Sequence, residues 1–178
     1  SSSKELKLPE PVEDGQTFEE NALIKAKSAS NLSNLISLSD DSGIEIDALD
    51  KQPGIYSARW AGPNRDFDFA MREVTRLLDE KKIPIAERTA RFVCALCLFY
   101  PNGEYFFFVG KVEGRVVWPP RGKYGFGYDA IFEPLNMNKT FGEITSGEKH
   151  SWTPKKIGLS HRAKAFAKFV SYLSQEKK

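Results

Sequence analysis

Two adjacent carboxylates, Asp40 and Asp41, follow an apolar run at residues 35–38 and precede an alternating apolar and acidic segment at residues 44–49. Side chains of successive residues in an extended chain point to opposite faces. One acid can therefore face a cleft while its neighbour serves as a second metal ligand or forms a structural bond. The pattern predicts a strand that ends at this pair, where the chain turns into a site, with a partner strand after it.

The next two residues, Ser42 and Gly43, favour the same interpretation. Glycine permits the turned backbone with which N–H groups contact an anion, so this segment can bind a phosphate or a carboxylate. Asp, Ser and Gly also dominate turns for purely conformational reasons, and the motif alone does not separate the two interpretations.

Composition limits the class of protein. The chain has 178 residues and a formal net charge of +2, which suits a single globular domain and does not by itself indicate nucleic-acid binding. We find neither a signal peptide nor a run of the roughly 18 apolar residues that a membrane span needs. Cys94 and Cys97 share one apolar run, where strand geometry directs them to opposite faces. We predict that they are reduced core residues of a cytoplasmic protein.

Helical and strand patterns divide most of the chain. Thr17 and Glu20 have capping-box spacing and open a helix that is predicted to run to Ser30. Helical periodicity marks a second helix, and Ser160 is a good N-cap for the last one. Two apolar runs separated by a Pro-Asn-Gly-Glu turn predict an antiparallel hairpin, followed by a short third strand. These further elements are the helices at residues 65–82 and 160–175, the hairpin strands at 88–100 and 105–113, and the strand at 116–118.

Two segments are predicted to be irregular, residues 52–63 and residues 140–154. Between them, glycines on both sides of Phe126 allow the backbone to bring that ring close to a planar ligand, although a simple strand entry would look alike. His161 and Arg162 lie in the first turn of the last helix, where the helix dipole disfavours cations. They suggest an anionic or carbonyl partner; a solvated helix end is the alternative.

Together, five segments resemble the inosine triphosphate pyrophosphatase family, whose members hydrolyse non-canonical purine nucleoside triphosphates to monophosphate and pyrophosphate. They span nearly the whole chain in a compatible order. The segments are Glu13-Asp14-Gly15 with residues 17–22, Ser39-Asp40-Asp41-Ser42-Gly43 with residues 47–49, residues 53–59, Gly125-Phe126-Gly127-Tyr128-Asp129, and Ser160-His161-Arg162.

The resemblance implies a role for each matching residue. Asp41 is expected to be the general base and a magnesium ligand, with Asp40 and either Glu13 or Glu20 also holding Mg²⁺. Ser42 and Lys156 are expected to contact the phosphates, Lys149 and Lys155 being open alternatives to Lys156. Phe126 is expected to stack on the base, Gly127, Tyr128 and Asp129 to close the pocket, and His161 and Arg162 to donate to the six-keto oxygen.

The resemblance also implies an α/β fold of two lobes around a long mixed β-sheet with a central substrate cleft, and a homodimer. The family opens with a strand and a phosphate-binding loop that nothing in residues 1–11 matches, so we expect one pyrophosphatase domain over residues 1–178 whose N-terminal segment is missing. Smaller departures are Ala130, where the family usually has Pro, and a longer stretch at residues 146–154.

Two other functions are alternatives, a nucleotide-binding module without catalysis and a single-stranded nucleic-acid binder. The paired acids argue against the second because they repel phosphates unless a cation intervenes.

Overall fold

A long antiparallel sheet forms the centre of the fold. The computed structural model describes residues 2–153 and 156–176, without the side chains of Trp152, Thr153, Lys156 and Glu176. Four strands lie side by side in the order of the chain, β1 (Ser37–Ile46), β2 (Thr89–Phe99), β3 (Tyr105–Val116) and β4 (Phe132–Pro134), and each neighbouring pair is antiparallel. A separate two-stranded hairpin pairs β5 (Trp152–Thr153) with β6 (Lys156–Ile157).

Five α-helices surround the sheet. The longest are α1 (Phe18–Ser33), α3 (Phe67–Glu80) and α5 (His161–Glu176); α2 (Ser57–Trp60) and α4 (Ser146–His150) are single turns. Short 3₁₀ turns at Asp47–Leu49, Gly54–Tyr56, Ile85–Glu87, Asp129–Ile131 and Phe141–Glu143 complete the described elements. The predicted α/β class is confirmed. All strand pairs among the described residues are antiparallel, so the expectation of a mixed sheet is wrong for this part of the chain. Within the described part of the chain, none of the helices is long and apolar enough to cross a membrane.

The two faces of β2 bury different cores. Alternate residues such as Val93 and Cys97 pack with α1, and their neighbours such as Cys94 and Leu96 pack with α5. Both cysteines are buried free thiols on opposite faces, as predicted. A third core lies under α3, at the other end of the sheet face that α5 covers. The gap between this core and the α5 core is where the site described below opens.

The predicted strand end at Asp40 and Asp41 is wrong. Strand β1 runs continuously through both acids, pairing residue by residue with β2 from Ser37 opposite Phe99 to Ile46 opposite Ala90. The apolar β2 offers a partner to every residue of β1, and a continuous ladder satisfies backbone groups that a turn would expose. Ser42 and Gly43 are therefore strand residues. Gly43 is required by close packing, because a Cβ there would lie 2.4 Å from the Gly54 carbonyl oxygen.

Three further predictions of local structure need correction. The separate strand predicted at residues 116–118 is wrong: Val116 is the last residue of β3, and Val117 follows it and donates its N–H to the Ile131 carbonyl at 2.8 Å. The segment at 52–63 contains a 3₁₀ turn and α2, and the segment at 140–154 contains a 3₁₀ turn and α4. Packing against β1 holds the turns at 52–63, and capping boxes at Thr140 and Thr145 hold those at 140–154. A periodicity search detects neither.

The predicted helices are confirmed at their starts. Thr17 caps α1 by accepting from the Glu20 N–H at 3.1 Å, but the Glu20 carboxylate accepts from the N–H of Gln16, at 2.6 Å, rather than from that of Thr17. Ser160 caps α5 by accepting from the Ala163 N–H at 3.1 Å. Phe166 on α5 is exposed.

Candidate active site

The edge of β1 forms one wall of a cleft of about 460 Å³. Successive residues of a strand point to opposite faces of the sheet. Because the cleft lies at the edge of the strand, side chains from both faces reach it. Most residues predicted for the site line it: Asp40, Asp41, Ser42, Phe126, Gly127, Tyr128, Asp129, His161 and Arg162. The sequence prediction that Asp40 and Asp41 face opposite sides is confirmed by their different neighbours.

Asp41 lies on the α1 side of the strand. Its Oδ1 is 2.8 Å from Lys25 Nζ, and its Oδ2 accepts from Asn21 Nδ2 at 3.4 Å. Burial raises the pKa of Asp41; the nearby Glu13 carboxylate adds to this, and Lys25 and Asn21 oppose it. Asp41 therefore holds a proton more readily than an ordinary aspartate does, which suits a general base.

Asp40 lies on the α5 side and is held by a cation. Arg162 Nη2 is 2.5 Å from Asp40 Oδ2, and the Ser42 hydroxyl donates to the same oxygen at 3.1 Å. Burial acts to raise the pKa of Asp40, but the Arg162 guanidinium outweighs it and the pKa is lowered. Adjacent acids thus have opposite pKa shifts, caused by different neighbours rather than by mutual repulsion.

The two upstream acids lie in different places. Glu13 Oε2 is 3.4 Å from Lys25 Nζ, so one ammonium bridges Glu13 and Asp41. Glu20 is exposed and its carboxylate caps the start of α1. Of the two candidates, Glu13 is the one that the fold brings beside Asp41.

A magnesium ion is compatible with this donor set. Within residues 2–153 and 156–176, no group of three or more His, Cys, Asp and Glu side chains is placed to hold a metal ion. Mg²⁺ commonly needs only one or two carboxylates, because waters and substrate phosphates complete its shell. Glu13 and Asp41 already converge on one positive group, the Lys25 ammonium, and supply hard oxygen donors.

The turn at residues 125–129 presents an aromatic ring to the cleft. Gly125 and Gly127 have φ of +86° and +66°, conformations that favour glycine, and Phe126 between them is 68% exposed. A ring that exposed is available for stacking. Tyr128 is buried behind it, where its hydroxyl donates to the Ser57 carbonyl at 2.9 Å.

Lys149, one of the three lysines that the sequence left open, lines the cleft. It is only 1% exposed, and its ammonium lies 2.8 Å from Asp129 Oδ2. The Phe126 N–H donates to that same oxygen at 3.2 Å. Lys155 and the side chain of Lys156, the predicted phosphate ligand, lie outside the described residues. The choice of Lys156 as phosphate ligand therefore stays a prediction, with Lys149 and Lys155 as its alternatives.

His161 is an uncharged member of the site. Its ring stacks on Phe92 with centroids 4.9 Å apart, and its buried Nδ1 has no hydrogen-bond partner among the described residues. Burial, reinforced by the Arg162 guanidinium, lowers the pKa of His161 to about 3. The first turn of α5 therefore does not carry two free cations against its dipole: His161 is neutral and Arg162 is paired with Asp40.

The depressed pKa of His161 predicts loss of stability in acid. Below the ordinary histidine pKa of about 6.5 the unfolded chain binds a proton that the folded chain refuses, so the free energy of unfolding falls as the pH falls. We expect a loss of about 2 kcal/mol between about pH 7 and about pH 5 from this residue. Urea unfolding at both pH values should show a smaller loss for His161→Gln, which cannot titrate; an equal loss in that variant would contradict the assignment.

Sequence reasoning missed several residues of the site. Lys25 and Asn21 are the most consequential, and both contact Asp41. Their spacing of four residues places them on one face of α1 beside the buried Ala22 and Ala26. A polar pair on the buried face of a helix was the signal that could have revealed them.

Comparisons with known proteins point to one family. The model of the Ham1 family matches residues 1–172. A dITP/XTP pyrophosphatase of Brucella melitensis is 53% identical over 175 residues, covering 96% of this chain and 80% of the relative. One from Agrobacterium fabrum is 53% identical over 174 residues, covering 95% and 81%. The solved structure of a HAM1 protein from Coxiella burnetii has a TM-score of 0.88 at 34% identity and covers 97% of this chain and 84% of its own.

Proposed function

The chain belongs to the Ham1 family, and we propose that it hydrolyses non-canonical purine nucleoside triphosphates such as dITP, XTP and ITP to the monophosphate and pyrophosphate. One observation carries the proposal beyond the relatives' names. A carboxylate with a raised pKa, Asp41, lines the same cleft as a neutral imidazole, His161, whose buried Nδ1 has no hydrogen-bond partner among the described residues. The first group suits proton abstraction from water and the second suits recognition of a base edge.

We assign the general base to Asp41. Its raised pKa brings the carboxylate closer to the working pH, which strengthens it as an acceptor for the proton of the attacking water. Lys25 holds Oδ1 and Asn21 reaches Oδ2, so the carboxylate has a fixed orientation. Attack at phosphorus then displaces pyrophosphate, and nearby ammonium groups stabilise the charge that develops on the phosphate oxygens.

Mg²⁺ is the proposed cofactor. Asp41 and Glu13, whose carboxylates lie close together beside Lys25, would hold it. A bound Mg²⁺ neutralises polyphosphate charge and acidifies bound water. Asp40 and Glu20, the other proposed ligands, are engaged elsewhere in the described structure, Asp40 with Arg162 and Glu20 at the start of α1.

Base recognition is assigned to the opposite side of the cleft. A six-keto oxygen accepts hydrogen bonds, whereas the six-amino group of adenine donates them. Arg162 donates permanently, and His161 donates from Nδ1 in the tautomer that carries its proton there. A site that must pair its buried donors discriminates strongly against a base that offers none. Phe126 supplies the stacking surface, and Lys149 with Asp129 holds its loop.

Turnover assays test the function. We expect the chain to release pyrophosphate from dITP and XTP in the presence of Mg²⁺, to act much more slowly on dATP, and to lose activity when EDTA removes the metal. Binding of dITP without pyrophosphate release would favour the alternative, a nucleotide-binding module without catalysis. Affinity for single-stranded DNA that falls steeply with salt, without nucleotide turnover, would favour a nucleic-acid binder.

The remaining properties are proposed on the same family membership. We propose a homodimer and a single pyrophosphatase domain over residues 1–178. The two buried free thiols, Cys94 and Cys97, support a reducing compartment, and we propose the cytoplasm.

A further inference from the structure

The two ends of the connection between α4 and α5 lie next to each other. Ser160 N–H donates to the Lys149 carbonyl at 3.0 Å, and Leu159 N–H donates to the Glu148 carbonyl at 3.3 Å. The returning chain packs so closely that a Cβ on Gly158 would lie 2.4 Å from the Lys149 carbonyl oxygen. The end of α4 is therefore held directly against the start of α5.

A side-chain bond closes this junction. His150 Nδ1 lies 3.1 Å from the Ser160 hydroxyl oxygen. That same oxygen accepts from the Ala163 N–H at 3.1 Å as the cap of α5. A hydroxyl has one proton and can accept with its lone pairs, so the arrangement is satisfied when Ser160 donates to His150 and accepts from Ala163. The imidazole thereby orients the capping hydroxyl.

His150 accepts this bond in the tautomer whose Nδ1 carries no proton. Desolvation of its ring and the nearby Lys149 ammonium lower the pKa of His150. An unprotonated Nδ1 is then available as an acceptor near neutral pH. Ser160 itself is buried, with 1% of its surface exposed, so water has little access to replace His150 as the acceptor.

The residues that follow Ser160 are those assigned to base recognition. His161 and Arg162 form the first turn of α5, and both line the cleft together with Ser160 and His150. Discrimination between a keto and an amino group depends on donor positions, and displacement of a hydrogen-bond donor by a fraction of an ångström weakens that match.

We propose that His150 is a positioning residue for base recognition, which acts through the Ser160 hydroxyl to hold His161 and Arg162 in place. The inference rests on the proposed function and adds a residue to its specificity. A purely structural cap would change the fraction of folded enzyme and so affect all substrates alike. A positioning role changes the ratio of kcat/KM for dITP to kcat/KM for dATP.

The test compares side chains that differ in the acceptor. His150→Asn keeps an oxygen acceptor on the atom where Nδ1 is attached, and His150→Leu keeps comparable bulk without one. Because one hydrogen bond contributes about 0.5 to 1.5 kcal/mol, we expect His150→Leu to lower the dITP to dATP ratio by about 2- to 12-fold. His150→Asn should stay within about twofold of the wild type. His150→Ala provides the same comparison if His150→Leu does not fold.

A double-mutant cycle tests whether His150 acts through Ser160. If His150 acts through Ser160, then adding His150→Leu to Ser160→Ala should not lower the ratio further. An unchanged ratio in His150→Leu, an equal fall in His150→Asn, or a full additional fall in the double variant would each overturn the inference while leaving the pyrophosphatase activity in place. A wild-type chain that hydrolyses neither nucleotide would overturn the proposed function, and this inference with it.

Discussion

Replacing Asp41 by Asn will lower turnover of dITP by a factor of about 10² to 10⁴, the range that loss of a general base typically costs. The amide has nearly the same shape as the carboxylate but cannot accept the proton of the attacking water. It also removes one of the two carboxylates that meet at Lys25, which weakens the proposed magnesium site. Initial rates of pyrophosphate release at saturating dITP and Mg²⁺ measure the effect.

The fold should tolerate this substitution. Burial already disfavours the charged form of Asp41, so a neutral side chain relieves part of that cost while Lys25 retains Glu13 as a partner. Asp47→Asn is a matched control, because Asp47 lies beyond the end of β1 and pairs with Arg91 away from the cleft. Near-normal turnover in Asp41→Asn, or an equal loss in Asp47→Asn, would remove Asp41 from the role of base.

Strand periodicity correctly predicted how the central acids divide between faces. Asp40 and Asp41 alternate because any extended chain alternates, whether or not the strand ends there. The length of β1 could not be predicted from the same alternation. It depends on β2, which lies far along the sequence and pairs with every residue of β1. Local turn propensity at Ser42 and Gly43 was overridden by that long-range pairing.

The cap of the last helix was predictable from the sequence, but the charges and partners of the residues in its first turn were not. Ser160 was recognisable as a cap from its residue type, and the fold places it there. The sequence predicts His161 to be a cation placed against the helix dipole, whereas burial makes it neutral. Burial is a tertiary property, and a single helix pattern does not determine it. The partner of Arg162, Asp40, is likewise distant in sequence.

Distance along the chain does not determine which lysine lies beside Ser160. Lys156 precedes Ser160 by four residues, but the junction between α4 and α5 shows that the chain makes an excursion and returns. Hydrogen bonds from Leu159 and Ser160 to Glu148 and Lys149 bring the two ends together, so Lys149 is adjacent to Ser160 in space. A count of residues cannot detect such a return, and only the contact with Asp129 identifies Lys149 as part of the site.

Replacing Lys149 by Met will destabilise the fold by about 3 to 5 kcal/mol, the cost of leaving one member of a buried ion pair without its partner. The Asp129 side chain is 12% exposed and its Oδ2 also holds the Phe126 N–H, so loss of the ammonium affects the loop that presents Phe126. Urea unfolding measures this change. Lys123→Met, at an exposed lysine two residues before Gly125, is the matched control and should change stability little.

The double variant Lys149→Met with Asp129→Asn separates stability from function. Neutralising Asp129 removes the uncompensated buried charge, so much of the lost free energy of unfolding should return. Turnover of dITP should not return with it, because the ammonium beside the base pocket and the carboxylate that orders the Phe126 loop are both gone. Full activity in the double variant would show that the pair serves the fold alone, and unchanged stability in Lys149→Met would show that the ion pair contributes nothing.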